Sequence, residues 1–221
     1  MRLGAVVFVA GAATLAVEIS ASRLLAPFFG SSTIVWANVI GLILVYLSLG
    51  YWLGGRVADR RPERALLGRI IVVAALAIAV IPFVARPFLD ATVKDLNAAS
   101  AGAVVGSFVA GLILFALPVT LLGAVSPFAV RLALPDVTHA GSVAGRLYAL
   151  STVGSIVGTF VAALVAIPVV GTQRTMLGAA TLVVLAGAME ESPLQMRLLN
   201  YLPCYRSDGG TGVGAGFAEW I

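Results

Sequence analysis

Six apolar runs, each about 20 residues long, constrain this chain more than any other feature. They fall at about 3–25, 33–53, 67–84, 103–130, 143–170 and 175–189. Coiled as an α-helix at ~1.5 Å per residue, such a run matches the ~30 Å hydrocarbon core of a bilayer. A helix satisfies its own backbone donors and acceptors, which lipid cannot do. The expected fold is therefore all-α, a polytopic membrane helix bundle of about six transmembrane helices over residues 1–189. Of the 221 residues 60% are hydrophobic and 11% charged, whereas a soluble domain carries about 25% charged residues. Lipid is the solvent this balance fits.

The runs are punctuated in a readable way. Pro27 and Gly30 are expected to break the first, Gly54-Gly55 and an arginine cluster the second, and Arg86-Pro87 the third. The stretch 90–100 is polar enough for a loop or a short surface helix, and 135–142 reads as a loop. From Glu190 the apolar pattern stops, and Pro193, Pro203 and the glycine run 209–216 suggest a disordered or surface-associated cytoplasmic tail over 190–221. That glycine run superficially resembles a nucleotide-binding loop, but it lacks the flanking strand and helix such a loop needs. At the other end, Met1-Arg2 and Ser20-Ala21-Ser22 imitate a signal peptide. Glu18 interrupts the run and similar spans follow, so an uncleaved first helix is expected.

Net charge is +4. In a soluble protein that excess would raise nucleic acid as a partner; here the arginines lie between spans and act as topology signals. Arg56, Arg60, Arg61, Arg64 and Arg69 separate the second and third runs. With that loop cytoplasmic, Arg2, Arg131, Arg146, Arg197 and Arg206 join the same side, and only Arg23, Arg86, Lys94 and Arg174 face outward. Ten against four places both termini in the cytoplasm of a multi-pass protein of the inner (plasma) membrane. Cys204 is the only cysteine and His139 the only histidine, so neither a cysteine metal cluster nor a histidine triad can be assembled. No catalytic residue, metal or cofactor is expected, and the first partner is the bilayer.

Glu18 is the most informative single residue. A carboxylate inside a span costs at least a few kcal/mol unless it has a partner or a proton. Arg23 lies about 140° around the helix from it, a poor position for pairing along one face. Asn38, on the antiparallel second run, lies at a matching depth. A Glu18–Asn38–Arg23 cluster in the outer half of the bundle is expected, either as a cation or proton site or as a polar lock between helices.

Three other patterns carry chemistry. In the loop at 55–64, Asp59 can cap a helix or pair with an arginine across a helix junction, making Asp59, Arg60 and Arg64 candidate gating residues. The alternative is a plain positive anchor. Pro118, Gly123 and Pro127 interrupt the fourth run, as in helices that line transport sites and also in simple packing kinks. On the fifth, Tyr148, Thr152, Ser155 and Thr159 form a hydroxyl face, with Gly154 and Gly158 on a nearby face. Tyr148, Thr152 and Ser155 either line a polar site opposite Glu18 or bond to backbone carbonyls in a tightly packed interface.

Several stretches carry a resemblance. They are 18–32 (EISASRLLAPFFGSS), 49–56 (LGYWLGGR), 126–132 (SPFAVRL) and 145–155 (GRLYALSTVGS), followed by Ile167-Pro168 and Gly171-Thr172. Over about 11–188 the chain resembles the fused major-facilitator-like/spermidine-synthase membrane proteins, and the Gly-x-apolar-Ala-Asp-Arg form at 55–60 resembles the cytoplasmic loop motif of major facilitator transporters. The resemblance implies half of a major-facilitator fold, normally followed by a soluble aminopropyltransferase-like domain. That domain would bind a decarboxylated S-adenosylmethionine-like donor and a polyamine. It is absent from these 221 residues, which implies a truncated or frameshifted member or a soluble half made separately. No synthase residue carries over. Two functions then stand as expectations. One is a module that binds or moves a small cation such as a polyamine, alone as a homodimer or with a partner. The other is a membrane anchor for an aminopropyltransferase-like partner.

Overall fold

A computed structural model describes residues 2–30, 32–98, 103–134 and 140–191. Among them every regular element is helical: α1 (Arg2–Phe29), α2 (Thr33–Arg60), α3 (Arg64–Ala98), α4 (Ala103–Ala133), α5 (Ala140–Phe160), a π-helical turn (Val161–Ala166), α6 (Ile167–Val170) and α7 (Thr172–Glu191). The chain is an all-α polytopic membrane bundle. Five rods are long and apolar enough to cross a bilayer: Leu3–Phe29, Thr33–Arg60, Arg64–Thr92, Val105–Ala133 and Ala140–Val170. The last of these joins α5, the π turn and α6 without a break. The sixth expected span corresponds to α7, which is 20 residues long and falls outside that apolar set.

Solvent-facing residues tell the same story. Phe83 on α3 is 71% exposed, Leu164 in the π turn 68% and Val169 on α6 75%, within long tracts of similar side chains on α2, α3 and the α5–α6 rod. Contiguous apolar surface of that extent is out of place in water and ordinary against lipid.

The helices run further than the punctuation suggested. α1 continues through Pro27 to Phe29, and Gly30 ends it at φ +79°, its N–H donating to the Ala26 carbonyl at 2.9 Å. Glycine adopts this left-handed conformation without the Cβ clash other residues meet. α2 passes through Gly54 and Gly55, and α3 passes through Pro82 and Pro87 to cover 90–98 of the stretch 90–100, expected as a loop or a short surface helix. Proline removes one donor and can stand inside a membrane helix whose neighbours satisfy the freed carbonyl. The polarity of 90–98 marked a helix emerging from the apolar zone rather than its end. The expected loop 135–142 shortens, since α5 begins at Ala140; 135–139 and the tail beyond Glu191 lie outside the described residues.

Packing is set by small residues. The most extensive pairings are α2 with α4, α1 with α5 and α3 with α7; α1 and α2, neighbours in sequence, touch sparingly. A Cβ added at Gly50 would strike the Thr120 carbonyl, and one at Gly54 would lie 2.5 Å from the Ala124 Cα. On the other seam, Gly154 and Gly158 sit against the backbone of Phe8 and Ala12, and Gly11 against Ser151. Such close approach maximises dispersion contact where no hydrophobic effect separates helix from lipid. The pair expected from Gly154 and Gly158 is therefore an α1–α5 seam. The core between the rods is built from Leu25, Ile43, Ile78, Phe115, Phe128 and Met176, all essentially buried.

Candidate functional site

Glu18 lies on α1, half-buried, in a cavity of about 220 Å³. Leu15, Ile19 and Ser22 flank it along α1, Trp36, Val39 and Ile40 come from α2, and Thr159 closes it from α5. The sparse α1–α2 contact is what leaves this gap open: α2 is drawn to α4, and α1 to α5, by the glycine seams. Among the described residues Glu18 makes no hydrogen bond or ion pair. The site is a carboxylate in apolar walls with an indole beside it.

The other members of the expected cluster go elsewhere. The Asn38 Nδ2 donates to the Ser107 Oγ at 3.3 Å, across the α2–α4 seam. Its depth agrees with Glu18, but its direction around the helix follows α4. Arg23 lines a separate cavity of about 590 Å³, with Arg86 and Asp90 of α3, Gly171 and the start of α7 through Arg174. Helix depth was readable from residue counting, whereas azimuth depended on which helices pair.

Three of the α5 hydroxyls donate to backbone carbonyls. Thr152 Oγ1 donates to the Tyr148 carbonyl at 2.9 Å, Ser155 Oγ to the Gly11 carbonyl at 3.2 Å, and Thr159 Oγ1 to the Ser155 carbonyl at 2.9 Å. Tyr148 is 52% exposed. Ser155 thus ties α5 to α1, Tyr148 and Thr152 are exposed, and of the four only Thr159 lines the Glu18 cavity. Trp36 is the member that sequence reasoning did not single out. Its signal was available: an aromatic ring two positions before Asn38, near the start of a span.

At the far ends of α2 and α4, Arg131 Nε donates to Asp59 Oδ1 at 3.2 Å. Asp59 therefore pairs with an arginine across a helix junction, as one of its two expected roles required. Arg60 and Arg64 are exposed on either side of the tight turn that follows, where the Glu63 N–H donates to the Arg61 carbonyl at 2.8 Å. Arg56 stacks over the Trp52 ring, 3.8 Å from its centroid. This end of the bundle is dense in charge, and the Glu18 cavity lies several turns away.

Among the described residues no three of His, Cys, Asp and Glu come together as a metal site. A carboxylate, an indole and apolar walls are groups that suit a small organic cation. No protein-family model, no curated protein and no solved structure matches the chain.

Proposed function

We propose that this integral membrane protein is the membrane module of a spermidine-synthase-like membrane protein, and that its Glu18 cavity binds a small organic cation such as a polyamine in transit across the bilayer. One observation carries the reading: an acid without a polar partner among the described residues faces a cavity beside Trp36. An ammonium group would supply the missing counter-charge to the carboxylate and rest on the indole face. The Asp59–Arg131 pair, with Arg60 and Arg64 beside it, would act as the cytoplasmic gate, closed when the ends of α2 and α4 are joined. Six helices amount to half of a major-facilitator unit, so the transporting form would be a homodimer or a complex.

The test is uptake of labelled putrescine and spermidine into vesicles holding the purified chain. Wild-type protein should move one of them, and Glu18→Gln should abolish movement while inserting normally. If no cationic solute moves with wild-type protein, the transport reading is lost.

A second reading draws on Thr159, whose hydroxyl is bonded to the Ser155 carbonyl of its own helix and leaves the walls around Glu18 largely apolar. In it the bundle anchors an aminopropyltransferase-like partner at the inner face. Such a partner should co-purify in mild detergent, and repeated failure to recover one counts against the anchor. Sidedness, with both termini cytoplasmic in the plasma membrane, rests on the arginine distribution. Because Cys204 is the only cysteine, its protection from a membrane-impermeant thiol reagent on intact cells tests that sidedness directly.

A further inference from the structure

Three of the four basic residues that break the positive-inside pattern, Arg23, Arg86 and Arg174, come from three different helices and line one cavity. Among the described residues none of them forms a hydrogen bond or ion pair, and Asp90 is the one acid in the cavity wall, leaving an excess of two positive charges. A second cavity, of about 660 Å³ and almost wholly apolar, shares Val170 and Arg174 with the first. It runs between α1, the π turn and α7, past Ala16, Ala12 and Phe8 on one wall and Gly178 and Leu182 on another. From Arg174 to Leu182, and from Ala16 to Phe8, the helical rise is ~12 Å each way. That depth approaches one leaflet's share, ~15 Å, of a ~30 Å hydrocarbon core.

We propose that these joined cavities hold one anionic glycerophospholipid from the leaflet opposite the arginine-rich loop, its phosphate held by Arg23, Arg86 and Arg174 and an acyl chain laid in the apolar cavity. The charge excess selects an anionic head over a zwitterionic one, and guanidinium groups suit phosphate oxygens in geometry. The apolar length selects a lipid over free phosphate. Arginines facing outward work against the topology signal, and a bound phosphate gives them a local reason to be there. Arg174 joins the two cavities, so it contributes to both the head and the start of the tail.

The full chain is purified in mild detergent and exchanged into nanodiscs of equal phosphatidylglycerol and phosphatidylethanolamine, and retained lipid is read by native mass spectrometry. Wild-type protein should retain phosphatidylglycerol in clear preference. Arg174→Gln should cut that preference by about fivefold, the worth of one interfacial arginine, and Arg174→Lys should keep most of it. A side chain at Gly178 would enter open space, so Gly178→Phe should leave melting behaviour intact while lowering retention of the lipid. Millimolar inorganic phosphate should not displace it. Equal retention of the two lipids by wild-type protein, or displacement by phosphate alone, overturns the proposal. So does a wild-type dimer that Gly178→Phe dissociates, since the groove would then be an interface between copies.

Discussion

The guanidinium Nε of Arg131 donates to the Asp59 carboxylate at 3.2 Å, joining the last turn of α2 to the last turn of α4. The same two helices are already held along their length by Gly50, Gly54, Gly123 and Ala124. The ion pair thus sits at the free end of a tight seam, where it can break without parting the helices.

That placement sets an energetic expectation. The two side chains are 45% and 73% exposed, and pairs in that setting contribute about 0.2–1 kcal/mol. Asp59→Asn should lower unfolding stability in detergent by less than ~1 kcal/mol, and the loss should shrink as salt rises. The exchange Asp59→Arg with Arg131→Asp should recover it. A larger loss would mean the pair is structural, which would remove its suitability as a gate.

Asn38 bonds Ser107 across the α2–α4 seam and is not among the residues that line the Glu18 cavity. Replacing it with Leu should cost about 0.6 kcal/mol and at most ~1.7, the span measured for hydrogen bonds between membrane helices. In a double-mutant cycle with Ser107→Ala the costs should be less than additive, because each removes the same bond. Additive losses would show that the two residues act separately.

Gly158 should tolerate nothing larger. Its added Cβ would meet the Ala12 backbone, so Gly158→Leu must push α5 off α1 along the whole seam. We expect a fall in melting temperature of many degrees, or failure to insert. Gly145, on the same helix with nothing within 4 Å of its Cβ position, supplies the control. Gly145→Ala should stabilise by about 0.5–1 kcal/mol through helix propensity. Equal behaviour of the two variants would refute the seam.

Glu18 answers differently depending on whether it locks or binds. A structural lock loses stability when removed, whereas an acid without a partner gains. A carboxylate deep in a span costs on the order of 2.5–3.5 kcal/mol, and less where half-exposed. Glu18→Leu should therefore melt at the same temperature as wild-type protein or higher, while cation binding disappears. A marked drop in melting temperature would return Glu18 to a structural role.

Much of the bundle was legible in the residues, and the illegible part has one cause. Apolar run length located the helices because bilayer thickness imposes it, and helical periodicity put Gly154 and Gly158 on one interface. Ends were harder: Pro27 and Pro87 looked like terminators, yet the helices run through both, and α1 ends at Gly30 with its positive φ. Partner choice was harder still. Sequence adjacency suggested that α1 and α2 pack together, which placed Asn38 beside Glu18. Backbone approach at Gly50 and Gly54 instead gave α2 to α4, turning Asn38 toward Ser107 and leaving Trp36 at the acid. The convergence of Arg23, Arg86 and Arg174 was equally hidden, since it needs three helices placed at once.

The widened turn at Val161–Ala166, where the Ile167 N–H reaches back five residues to the Ala162 carbonyl, has a consequence for comparing this chain with others. Such a turn accommodates one residue more than an α-helical turn does. A chain shorter by one residue between Phe160 and Pro168 would therefore run as an unbroken α-helix and still present the same faces on both sides. Pairing the two chains residue by residue without a gap inside that turn would misplace every later position by about 100° of rotation. Equivalence there has to be counted by face and not by index.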